Sequence, residues 1–255
     1  MLKILAIANQ KGGVGKTTTS INLAASLVNS GKRVLLVDLD PQGNTTMGSG
    51  VDKRPLDRTL YHVLLGEQDI ASVRLSVDPG KYDLIPANQD LAGAEVEMVA
   101  LDARETRLKT ALQSVSGDYD FILIDCPPAL NLLTLNGLCA AHAVMIPMQC
   151  EYYALEGLSD LVNTIKRVRS RFNPSIRIEG LLRTMFDPRN LLAQQVSEQL
   201  QQHFGDKVYQ TVIPRNVRLA EAPGFGLPIL YHDRQSKGAQ AYLALANEVL
   251  TAASQ

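Results

Sequence analysis

Apolar residues fall into short unbroken runs separated by stretches of helical period. Leu2 to Ile7, Val34 to Asp38 (VLLVD), Phe121 to Asp125 (FILID) and Ala143 to Pro147 are of strand length and nearly free of polar interruption. That is the pattern of strands buried on both faces of a parallel sheet. Between the first two runs, Ile21, Leu23, Ala24, Leu27 and Val28 recur at helical spacing over Thr17 to Asn29, and Gly31 supplies a stop. The same reading predicts helices near Leu60–Leu65, over Asp90–Val115, near Leu132–Ala140, and over Leu155–Arg171, Leu191–His203 and Gln240–Ala252. It predicts further strands at Tyr82–Pro86, Ile178–Thr184 and Val208–Ile213, and a mobile surface loop over the Gly-, Thr- and Ser-rich stretch Gly43–Pro55. Repeated βα units imply an α/β fold: a mainly parallel, twisted sheet with helices on both faces, forming a single domain over residues 1–255. Ligands then bind at the carboxyl ends of the strands.

The first strand runs directly into QKGGVGKTT, a glycine-rich loop opening a helix. Gly12, Gly13 and Gly15 let the backbone turn tightly and aim its N–H groups, that of Val14 included, at phosphate oxygens. Lys16 is placed to reach β/γ-phosphates, and Thr17, followed by Thr18, to offer Mg²⁺ a hydroxyl. The general pattern G-x-x-x-x-G-K-[ST] would have glycine at position 10; this chain has Gln10 and then a second lysine, Lys11. On spacing alone, Lys11 is either functional or a solvated loop lysine.

Composition narrows the setting. With 255 residues the chain buries a substantial core, and its net charge of −1 excludes a strongly basic protein, so any nucleic-acid contact must rest on a local patch. Three cysteines (Cys126, Cys139, Cys150) without C-x-x-C spacing, and four scattered histidines (His62, His142, His203, His232), point to neither disulfides nor zinc. A reducing, cytoplasmic setting is expected. The apolar N-terminal run is too short for a membrane span, and no lysine or arginine follows Lys237, so a basic amphipathic membrane anchor is not expected at the C-terminus.

Three carboxylates stand at strand ends. Asp125 closes FILID, where it can hold a Mg²⁺-bound water beside Thr17 or merely cap the next turn; Asp38 and Asp40, two apart in DLDPQGN, can approach a γ-phosphate from one side. Between Asp160 and Asn190 seven cations face three carboxylates. Taken alone, such a run is more often a solvated helix face than a binding patch.

The segments KGGVGKTT, VLLVDLDPQGN, FILIDCPP, PMQCEYYALEGL, LLRTMFDPRN and VIPRNVRLAEAPGFGLPI, spread from Leu2 to about Leu250, resemble those of ParA/Soj-type partition ATPases in the ParA/MinD superfamily. The resemblance implies an ATP- and Mg²⁺-dependent ATPase that forms a sandwich homodimer when ATP-bound, coats double-stranded DNA without sequence preference and is stimulated by a ParB-type partner at the nucleoid. It implies that Lys11 reaches the other subunit's nucleotide, that Asp40 activates the attacking water, and that Asp38 supports the metal shell with Thr17 and Asp125. Thr184 and the loop Pro214, Arg215 and Asn216 match positions near adenine, Glu151 matches the sandwich interface, and Arg189 and Arg218 match DNA-contacting arginines. Arg183 stands where leucine is frequent. A MinD-like membrane ATPase, an iron–sulfur or metabolic enzyme and a purely regulatory binding module without turnover are the rivals; the C-terminus speaks against the first, the cysteine spacing against the second, and Asp40 and Asp125 against the third. An N-terminal helix-turn-helix domain, and with it sequence-specific autorepression, is not expected because the chain begins at the loop's own strand.

Overall fold

The structure, a computed structural model, describes residues 2–253. In chain order the elements are β1 (Lys3–Ile7), α1 (Lys16–Asn29), β2 (Val34–Asp38), α2 (Asn44–Gly48), α3 (Leu60–Leu65), α4 (Ile70–Val73), β3 (Leu75–Ser76) and β4 (Asp83–Ile85). They continue with α5 (Leu91–Glu97), α6 (Arg107–Gln113), β5 (Phe121–Asp125), α7 (Leu132–Ala140), β6 (Ala143–Gln149) and α8 (Ala154–Arg171). The last are β7 (Arg177–Phe186), α9 (Leu191–Phe204), β8 (Val208–Pro214), α10 (Val217–Glu221), α11 (Ile229–His232) and α12 (Lys237–Ala253). The strands form one eight-stranded sheet in the order β3-β4-β2-β5-β1-β6-β7-β8, parallel except for the β3–β4 pair.

Alternation along the central strands sends side chains to two cores. Leu5 and Ile7 of β1 pack with Leu23 and Leu27 of α1 and Leu245 and Val249 of α12 on one face. Ile4 and Ala6 face the opposite layer, where Leu60, Leu91, Leu108, Leu133 and Leu161 supply the helices. All five residues of β1, β2 and β5 are buried, as their unbroken apolar runs predict.

Two expectations need correction. The stretch Gly43–Pro55 is not a mobile surface loop throughout: Gly43, at φ +59°, opens α2, whose Thr45, Thr46 and Gly48 are buried. A Cβ on Gly48 would lie 2.7 Å from Cδ1 of Ile21, and one on Gly50 would lie 2.8 Å from the Gly226 carbonyl oxygen, so this segment packs as closely as the core. The long helix over Asp90–Val115 is two helices, α5 and α6, separated by a 3-10 turn and by Ala103 at φ +50°. No helix among the described residues is long and apolar enough to cross a membrane.

Candidate functional site

The carboxyl ends of β1, β2 and β5 lie side by side, with Asp38 opposite Asp125 and Ile7 opposite Asp125 in the strand registers. The loop after β1 therefore opens beside both carboxylates. Gly13 (φ +72°) and Gly15 (φ +89°) take left-handed conformations, and no other atom lies within 4 Å of where a Cβ would project from Gly12 or Gly13. Val14 is buried beneath the loop, its carbonyl accepting a 2.7 Å bond from the Thr184 hydroxyl. Lys16 opens α1 and is 7 % exposed, with Nζ donating to the Lys11 carbonyl at 3.3 Å. Burial lowers its ammonium below the ordinary lysine range, opposed by the charges of Asp125 and Asp40.

Asp125 is enclosed by hydroxyls. Thr17 and Thr45 donate to its Oδ2 at 2.8 and 2.6 Å, and Ser20 to its Oδ1 at 3.0 Å. Asp38 accepts at Oδ2 from the Thr46 backbone N–H (2.8 Å) and hydroxyl (2.7 Å), and at Oδ1 from the Asp40 N–H (3.2 Å). Burial and then the charge of Asp125 push the Asp38 carboxyl up to about 8 against those three bonds. Asp125 is also raised, by burial first, although its three hydroxyl donors and Lys16 oppose the shift. Two adjacent buried carboxylates that hold their protons too tightly call for a nearby cation. Oxygen-only donors, with the Thr17 hydroxyl among them, suit a hard divalent ion. Among the described residues no group of three His, Cys, Asp or Glu could hold a metal. A Mg²⁺ here would draw its remaining ligands from phosphate and water.

Asp40 stands apart from this pair. It is half-buried, its Oδ1 accepts from Gln42 N–H at 2.9 Å, and it lines a cavity of about 560 Å³ with Gly12, Gly13, Gly15, Lys16, Thr17 and Thr18. A contiguous pocket of about 190 Å³ is lined by Gly15, Thr18, Thr184, Pro214, Arg215 and Asn216, so the structure brings the predicted base-side residues against the same loop. The Asn216 side chain also caps α10 through Leu219 N–H at 3.1 Å. Lys11 and Glu151, both about half exposed, form an ion pair within the chain.

Arg183 is placed away from the cleft. Its guanidinium donates to Ser197 Oγ (2.9 Å) and to the Tyr209 carbonyl (2.7 Å), tying β7 to α9 and β8, while its neighbour Thr184 faces the loop. Arg189 (88 % side-chain exposure) and Arg218 (57 %) lie in the segments after β7 and β8, paired with Asp187 at 2.8 Å and Glu221 at 3.0 Å. The three cysteines are buried and free. Sequence reasoning missed Ser20, Thr45 and Thr46, the hydroxyl donors that enclose the two aspartates. Also missed was the segment Pro127–Asn131, which closes one side of the cleft.

Residues 2–178 match the family described as an AAA domain. Over 249 residues the chain is 55% identical to the sporulation initiation inhibitor protein Soj of Bacillus subtilis, covering 98% of each. It is 51% identical over 252 residues to the chromosome partitioning protein ParA of Caulobacter vibrioides, covering 98% of this chain and 94% of that one. The chain belongs to the Soj/ParA family of chromosome-partitioning ATPases. Among solved structures, a Mycobacterium smegmatis protein titled cobyrinic acid a,c-diamide synthase, with bound ADP and magnesium, superposes with a TM-score of 0.89. It is 40% identical, over 100% of this chain and 96% of that one.

Proposed function

We propose that this chain is a DNA-partitioning ATPase of the cytoplasm and nucleoid, in which Mg·ATP binding drives a sandwich homodimer onto duplex DNA and hydrolysis releases it. The observation that carries the reading is the convergence of Lys16, Thr17 and Asp40 on one cavity, with Thr17 bonded to Asp125 of the buried Asp38–Asp125 pair. Identity to the two partition proteins, at 55% and 51%, exceeds the 40% to the mycobacterial synthase, which favours partition over amide synthesis.

In this reading the loop N–H groups and Lys16 hold the β- and γ-phosphates, and Thr17, with Asp38 and Asp125 behind it, holds Mg²⁺. The metal, when bound, neutralises charge building on the phosphate oxygens. Asp40 keeps one carboxylate oxygen free of backbone bonds and is the group that orients the attacking water and accepts its proton. Thr184, Pro214, Arg215 and Asn216 form the base-side wall. Lys11 exchanges its Glu151 partner for the nucleotide of the second subunit, which makes hydrolysis depend on dimerisation. A ParB-type partner raises the rate by completing that arrangement.

Arg189 and Arg218 carry the DNA contact, and dimerisation doubles their number, so that ATP gates retention. Each phosphate neutralised should contribute about −0.9 to the log–log salt slope. The test is retention of arbitrary-sequence duplex at one stated salt concentration with ATP, with ADP and without nucleotide, in the native chain, Asp40→Ala and Arg189→Glu/Arg218→Glu. Retention only with ATP, prolonged in Asp40→Ala and lost in the double arginine variant with ATP binding intact, is the expected result. Retention independent of nucleotide, or unaltered in the arginine variant, would refute the gated reading.

A further inference from the structure

A second concavity, of about 540 Å³, lies outside the nucleotide cleft along the seam of α7 and α8. Its floor is apolar, formed by Leu132 and Leu135 of α7 with Val168 and Phe172 at the end of α8. Val99 and Leu130 line it as well, with 59 % and 45 % of their surfaces in water. The rim is cationic. Arg104 is already engaged, by Glu105 at 3.2 Å and by the Val99 carbonyl at 2.8 Å. Arg167 and Arg171, one turn apart on the same side of α8, have no carboxylate partner among the described residues. Glu105, the lining carboxylate, is answered by Arg104.

We propose that this groove docks an acidic amphipathic helix of a protein partner. An apolar channel between two helices accepts side chains spaced i, i+3, i+4 and i+7, and carboxylates flanking that stripe meet Arg167 and Arg171. Duplex DNA would satisfy the two arginines but has no use for the apolar floor, because phosphate contacts are polar throughout. Topology separates the surfaces as well. The chain leaves β6 at the cleft end and α8 returns along the sheet, so Arg167 and Arg171 lie toward the amino ends of the strands, opposite the end that carries Arg189 and Arg218.

The groove also communicates with the cleft. Asn131 lines both cavities, and its side chain caps α7 through Thr134 N–H at 3.0 Å. The Thr134 hydroxyl holds the Ala129 carbonyl at 2.6 Å, so the segment from Pro127 to Asn131 moves with the first turn of α7. A helix seated against Leu130 and Leu135 therefore presses on a wall of the nucleotide cavity.

The test is selection from a displayed library of amphipathic helices about four turns long. Apolar residues occupy the i, i+3, i+4 and i+7 positions, and the others vary among Glu, Lys, Gln and Ala. The selected peptides are then measured by fluorescence anisotropy against the full chain and its Arg167→Glu/Arg171→Glu variant, with a thermal melt to show that the variant folds. The expected result is enrichment of glutamate and an affinity about tenfold lower for the double variant, with ATP-dependent DNA retention unchanged. Enrichment of lysine, no enrichment over a charge-scrambled library, or equal affinity for the variant would overturn the proposal. Loss of DNA retention in the variant would also overturn it, by assigning the two arginines to DNA.

Discussion

Lys16, Asp38 and Asp125 lie at the carboxyl ends of the central strands with 7 %, 0 % and 1 % of their surfaces exposed, whereas Lys166, Arg167, Arg169 and Arg171 line an exposed flank of α8. Charge in the first region is costly to place, and it is held by fixed donors: Thr17, Ser20 and Thr45 around one carboxylate, Thr46 and Asp40 around the other. Charge in the second region costs almost nothing to place, because water solvates it before and after folding. The difference separates two kinds of function. Buried carboxyls that hold their protons beyond the ordinary range are prepared for an incoming cation, and exposed cations act only when a partner arrives. An isosteric change should therefore be felt sharply in the first region, and in activity more than in folding.

The largest expected effect tests that separation directly. Asp125→Asn keeps the shape and removes the charge, and the Thr17, Ser20 and Thr45 hydroxyls can turn to meet an amide. Mg²⁺-dependent phosphate release should fall by about 100-fold or more, while the ligand-free protein melts no lower at pH 8. Equal loss of fold and activity would break the comparison, because Asp125 would then be a structural group. A second substitution reaches the same site through the backbone. Gly226 stands at φ +65°, and a Cβ there would lie 2.6 Å from the Gly50 Cα. Gly226→Ala should cost about 3 kcal/mol and lower Tm by roughly 6–12 °C. Because Gly50 lies two residues beyond α2, which presents Thr45 and Thr46 to the two aspartates, ATP hydrolysis should fall as well. A lower Tm with full activity at a permissive temperature would show that α2 holds its position without this crossing.

Much of the central sheet was legible because β1, β2 and β5 are buried on both faces and so carry no polar residue until their ends. The aspartates at those ends were legible for the same reason. The donors around them, Thr17 apart, were not. Thr45 and Thr46 lie in a stretch whose glycines, serines and threonines read locally as a loop, and only the demand of two buried carboxylates for hydroxyls places them in a helix. The break between α5 and α6 was hidden differently. Leu91, Ala94, Met98, Leu108 and Leu112 keep one helical phase, so periodicity reads straight across Ala103 and its positive φ. Arg183 could have been placed from alternation alone: with Thr184 turned to the phosphate loop, its neighbour must face the other side of β7.

The smallest expected effect concerns protons, and it sharpens the contrast at the level of single groups. Asp38 holds its proton up to about pH 8 in the folded chain, and an unfolded aspartate releases it near the ordinary value of 3.8. Below that value both states are protonated and the group contributes no pH dependence. Between about 4 and about 8 the unfolded chain has released the proton and the folded chain has not, so stability falls as pH rises; above 8 the loss is complete. Other carboxylates titrate with the opposite sign, Asp187 among them, its carboxyl held down to about 2 by hydrogen bonds from Arg189. The clean measurement is therefore a difference: Tm of the native chain minus Tm of Asp38→Asn, without nucleotide, at pH 5 and pH 8. Asparagine stands in for the protonated carboxyl at every pH, so the native chain should lose ground to the variant by pH 8. Adding Mg·ATP should remove most of that loss, because a divalent cation beside the pair favours the ionised form. A difference that is flat with pH would mean that the pair shares its charge with water, and that its burial does not prepare the cleft for the metal.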